Sequence, residues 1–88
     1  MPDKETQQFF DLWHEHSMSD WRFYNSRAGA EWFGQLRHLA AQIPGENWRK
    51  YALWLVGEAG KAAERRDAHR MMELSMNAFA NHARLIWA

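Results

Sequence analysis

The chain has 88 residues and a mass of 10.5 kDa, which makes it one small domain. With 47% apolar side chains and six Trp it has the material for a core, so general disorder is excluded. Eleven basic side chains balance eleven acidic ones, excluding a wholesale polyanion binder or a nucleic-acid mimic, and the lack of Cys excludes disulfides, thiolate nucleophiles and Cys-type zinc sites.

β-Formers are scarce (one Val, two Ile, one Thr), whereas Ala alone contributes thirteen residues. Side chains of that kind lose little rotamer freedom in a helix, so the expected fold is all-α: a compact bundle of about four helices in a single domain spanning residues 1–88. Helix A is predicted over about residues 3–16, opened by Asp3. Phe9, Phe10, Leu12, Trp13 and His16 share one face of it. Ser17-Met18-Ser19-Asp20 is a weak break. Helix B starts somewhere between residues 20 and 26, with Ser19, Asn25 and Ser26 as alternative caps, and runs to 42. Ala28, Trp32, Leu36, Leu39, Ala40 and Ile43 form its core arc, opposite Arg27, Glu31, Gln35, His38 and Gln42. Pro44-Gly45 is the strongest punctuation and separates B from C, which begins near Glu46 or Asn47. Between C and D a hairpin turn near Arg66-Asp67 is favoured over one helix of about 40 residues and roughly 60 Å. Trp32 and Trp48 each open an apolar stretch, but a spacing of sixteen residues is too short for a solenoid repeat.

Helix D has a narrow polar arc of Arg70, Glu73, Asn77, Asn81 and Arg84. The rest of its circumference is apolar or small, so it is expected either at the centre of the bundle or at a dimer interface. Met72, Met76, Phe79, His82, Ile86 and Trp87 are the residues assigned to that core or dimer contact. Ser75 and His82 are expected to form a buried polar pair or a hydrogen bond across an interface, because an unpaired polar group there is costly.

On helix C the core arc is Trp48, Tyr51, Ala52, Leu55, Val56, Ala59, Ala62 and Ala63. Trp54 falls instead among Lys50, Glu58, Lys61 and Arg65. A Trp left in water forfeits several kcal/mol of burial, and interface hot spots are enriched in Trp and Arg. Lys50, Trp54, Lys61, Arg65, Arg66 and Arg70 are therefore the predicted partner-binding residues, unless helix A packs over Trp54. Residues 1–20 carry one Lys against five carboxylates and residues 21–88 ten basic against six acidic groups, so an acidic helix A could also neutralise this patch.

No catalytic, cofactor or metal site is expected. His14-Glu15-His16 has the wrong spacing for two ligands on one helix face, the serines lie in no nucleophile elbow, and no Gly-rich loop is present to hold phosphate. Gly57 and Gly60 read as points of close helix packing. No apolar run is long enough to span a bilayer, and the first residues lack a signal peptide's basic start and apolar stretch, so a soluble cytoplasmic protein is expected, with no membrane partner. The expected function is a non-enzymatic protein–protein interaction module: a small regulator, adaptor or inhibitor of a larger complex, and a homodimer. Accessory proteins of phages, plasmids and secretion systems, anti-CRISPR-type inhibitors among them, share this size and composition, without any motif match. The alternative is a nucleic-acid-binding helical protein using the basic face of helix C.

Overall fold

The computed structural model describes residues 3–87, in which five helices, four of them long, build an all-α bundle with no strand among the described residues. They are α1 (Lys4–His16), α2 (Trp21–Tyr24), α3 (Arg27–Gln42), α4 (Glu46–Arg65) and α5 (Ala68–Trp87). None of them is long and apolar enough to cross a membrane.

The starts of these helices follow from their capping side chains. Asp3 accepts from the Thr6 backbone N–H at 2.8 Å and opens α1. The uncertain start of helix B resolves into two helices, each with its own cap. Asp20 accepts from the Phe23 N–H at 3.0 Å to open α2, and Ser26 accepts from the Gly29 N–H at 3.2 Å to open α3. The Ser26 hydroxyl also donates to the Phe23 carbonyl at 2.6 Å, locking the bend between them. Pro44-Gly45 separates α3 from α4 as expected. The hairpin at Arg66-Asp67 is present too: Arg66 sits at φ 52°, and the Asp67 N–H donates back to the Ala62 carbonyl at 2.9 Å, a Schellman closure normally given to Gly. Asp67 then accepts from the Arg70 N–H at 3.0 Å and caps α5.

α3 forms the spine, with α1, α2 and α4 packed on it, and α5 lies on the outside against α4. The core is Phe9, Phe10 and Trp13 of α1, Trp32, Leu36 and Ala40 of α3, Ile43 after it, Leu55, Val56 and Ala59 of α4, and Leu74 and Ala78 of α5. Trp13 and Trp32 meet with ring centroids 5.8 Å apart, and the Trp32 indole N–H donates to the Leu12 carbonyl at 2.8 Å, tying α3 to α1. Tyr24 is buried, and its hydroxyl donates to the His16 carbonyl at 2.7 Å.

Two expectations are corrected. Ala28, placed in the core arc of helix B, is exposed; in the first turn of α3 the packed position, against α2, is taken by its neighbour Gly29. Gly57 and Gly60 mark no close helix approach, since a Cβ at either would meet nothing within 4 Å. The close approach is at Gly29, where a Cβ would stand 2.1 Å from the Phe23 carbonyl oxygen.

Candidate functional site

Of the two placements open to the last helix, the structure shows the outer one. α5 turns Met71, Leu74, Ser75 and Ala78 inward. The next stripe round its circumference, Met72, Met76, Phe79, Ile86 and Trp87, is bare, ranging from 47% exposed at Ile86 to 85% at Trp87. His82 is half-buried between the two stripes. The apolar arc read from the sequence is thus two arcs, one covered by the bundle and one open.

Beside the open stripe runs a groove of about 480 Å³ between α5 and the end of α1, lined by His14, Ser17, Met18, Met72, Ser75, Met76, Phe79 and Ala80. Two polar contacts hold its walls together. The Ser75 hydroxyl donates to the Ser17 carbonyl at 2.9 Å, satisfying an orphan carbonyl at the end of α1 in a buried position. His14 Nε2 and His82 Nδ1 lie 3.1 Å apart in a hydrogen bond, and the His82 ring stacks on Phe10 at 4.6 Å. Ser75 and His82 therefore each reach separately to α1, and neither bonds to the other. Burial lowers the pKa of both histidines; the neighbouring His82 lowers that of His14 further, and Asp11 pulls both upward. Neutral imidazoles are the form the site favours, in keeping with its apolar surroundings.

The second surface centres on Trp54, which is 45% exposed and not covered by α1. Tyr51 packs beside it at 5.9 Å, and the Arg70 guanidinium sits 5.8 Å from the ring centroid in a cation–π contact. Tyr51 is itself anchored, donating to the Asn77 side-chain oxygen at 2.6 Å, and burial raises its pKa. Arg70 and Lys61 both reach Glu58, each at 3.1 Å, and their hydrogen bonds hold the Glu58 carboxyl below its ordinary range, Lys61 contributing most. Lys50 pairs with Glu46 at 3.0 Å. Arg65 and Arg66 are exposed and form no ion pair among the described residues. The structure thus brings Trp54, Lys61 and Arg70 together, places Lys50 one turn before them, and leaves Arg65 and Arg66 at the end of α4. No ion pair joins α1 to α4 or α5 among the described residues; Lys50, Lys61 and Arg70 pair instead with carboxylates of α4 and α5.

Sequence reasoning missed Met18, Ser17 and His14 as groove residues. The only signal was an apolar Met18 standing between two serines, and its meaning depends on α5 arriving beside the end of α1. Tyr51 was placed in the core arc, and it serves both the core and the Trp54 surface. Among the described residues no group of three or more His, Asp or Glu side chains is arranged to hold a metal ion. Comparison with protein-family models, curated proteins and solved structures finds no match.

Proposed function

We propose that this chain is a non-enzymatic protein–protein interaction module, acting in the cytoplasm as a small regulator, adaptor or inhibitor of a larger complex. The observation that carries the reading is the bare, uncharged apolar stripe of α5 with the groove beside it. Small soluble proteins seldom leave a contiguous patch of this size open unless it binds something. Taking about 200 Å² for a large side chain, the exposed parts of Met18, Met72, Met76, Phe79, Ile86 and Trp87 amount to roughly 750 Å². The Trp54–Tyr51–Arg70 cluster supplies a second contact, with an aromatic anchor and a guanidinium of the kind that dominate binding energy.

The internal pairing of Lys50, Lys61 and Arg70 with carboxylates speaks against phosphate as the ligand of that face. The test is capture of partners by tagged protein from lysate of its source cell, with nuclease and a salt series. A stoichiometric protein that survives both treatments, and is lost on Phe79→Glu or Trp54→Ala, is the expected result. Nucleic acid alone, released by moderate salt, refutes the reading.

A further inference from the structure

We infer that the open stripe of α5 pairs with the α5 of a second copy of this chain, the two helices running antiparallel; this rests on the reading of that stripe as a protein interface. The first support is spacing. Met72, Met76, Phe79, Ala83 and Ile86 follow one another at alternating steps of four and three residues, the a/d spacing of a helix–helix seam. The bundle-facing residues Met71, Leu74, Ser75 and Ala78 lie on a separate arc, so α5 carries one stripe for its own core and another for a second helix.

The second support is shape. The groove flanks Met72 to Phe79 in the first part of α5, whereas the most protruding side chain, Trp87, stands at the other end of the same stripe. In a parallel pair, groove would face groove and Trp87 would meet Trp87. In an antiparallel pair, Trp87 of each copy falls over the groove of the other, Ile86 meets Met76, and small Ala83 lies against large Phe79. Each protruding element then has a recess, and a single two-fold axis uses every feature twice. The paired stretch, residues 75–87, is about 20 Å long at 1.5 Å per residue.

Charge and area agree with this occupant. The stripe holds no ionisable side chain and the chain's net charge is zero, so two copies approach without repulsion. Within the paired stretch, Met76, Phe79, Ile86 and Trp87 expose roughly 530 Å² per copy, so two copies cover on the order of 1,050 Å², just above the ~1,000 Å² that a specific interface requires.

The measurement is sedimentation equilibrium of the intact chain from low to high micromolar concentration. The expected mass is twice 10.5 kDa. Phe79→Glu and, independently, Met76→Lys should weaken pairing by about 100-fold or more while leaving the helical circular dichroism unchanged, since each buries a charge in the seam but not in the core. Because the chain has no Cys, orientation can be read directly by mixing Phe79→Cys with Ala83→Cys under mild oxidation. Heterodisulfides between the two variants are expected. A mass of one chain throughout the range, a pair insensitive to both charged variants, or homodisulfides alone each overturn the inference. A monomer that still captures another protein through Phe79 overturns self-pairing and leaves the proposed function standing. A dimer that captures no other protein does the reverse.

Discussion

Replacing Gly29 by Ala puts the packing account at its most exposed point. The added Cβ would stand 2.1 Å from the Phe23 carbonyl oxygen and 2.8 Å from that of Tyr24, both backbone atoms, whereas real Cβ contacts stay above 3.0 Å. Relief requires α2 to withdraw from α3 by about 1 Å, since no flexible side-chain tip is there to yield. That withdrawal strains the Ser26 hydroxyl bond to Phe23 and draws buried Tyr24 away from Trp32, its ring neighbour at 5.9 Å. Overpacking of this kind costs about 1–3 kcal/mol and a damaged cap about 1 kcal/mol more, from which Ala's better helix propensity returns roughly 1 kcal/mol. The net is about 1–3 kcal/mol, a melting temperature lower by roughly 5–20 °C in a domain of this size. Gly34, Gly57 and Gly60 supply matched controls, because a Cβ at each meets nothing within 4 Å. The same Gly→Ala change there should stabilise by about 0.5–1 kcal/mol each. Thermal denaturation followed by far-UV circular dichroism ranks all four variants. If Gly29→Ala melts with the other three, α2 does not press on α3 as described.

Three further changes probe other joints. Ser75→Ala removes the buried bond to the Ser17 carbonyl, and chemical denaturation should show a loss of about 1–2 kcal/mol; an unchanged midpoint would mean the bond is dispensable. Arg66→Gly places the residue suited to positive φ at the hinge between α4 and α5 and should raise stability by about 0.5–1 kcal/mol, so a loss there would contradict the φ of 52°. The His14–His82 pair predicts a pH dependence. Both folded-state pKa values lie below the ordinary 6.5, so the unfolded chain binds more protons between the lowered values and 6.5. The contribution of the pair is whole above 6.5 and is lost as the pH falls through the lowered values, even though Asp11 opposes the shift. The urea midpoint of the wild type should therefore fall more between about pH 7 and pH 5 than that of a His14→Gln/His82→Gln double variant. Parallel pH profiles would remove the pair from the account.

How much of this was legible in the sequence differs from joint to joint. The all-α fold, the Asp3 start, the Pro44-Gly45 break and the Arg66-Asp67 turn are local facts, because capping and turn chemistry act within four residues. The core arcs of α3 and α4 were legible as well, since one-sided periodicity on a helix needs only a single covering layer. The separate α2 was not, because a four-residue helix is barely one turn and shows no periodicity, and Ser19, Asn25 and Ser26 read as alternative caps of one helix where Asp20 and Ser26 cap two. Gly29 was overlooked and the pair Gly57/Gly60 misjudged for one reason: whether a glycine admits a neighbour is decided by tertiary approach, which composition does not encode. On α5 both stripes are apolar, so hydrophobicity could identify the helix as doubly faced but not say which face the bundle covers. The His14–His82 contact joins residues 68 positions apart and became visible only when α1 and α5 were set side by side.

The groove's methionines give the surface a chemical signature as well as a mechanical one. Met18, Met72 and Met76 present their thioethers to solvent, whereas Met71, one residue from Met72, is 5% exposed. Mild peroxide should therefore oxidise the first three well before Met71, turning flexible apolar side chains into polar sulfoxides along the groove between α5 and the end of α1. Peptide mass spectrometry after such treatment becomes a footprint of whatever covers that groove: occupied stripes keep their thioethers, bare ones lose them. Handling in air would erode the same surface first, leaving a protein whose fold is intact and whose docking edge has become polar.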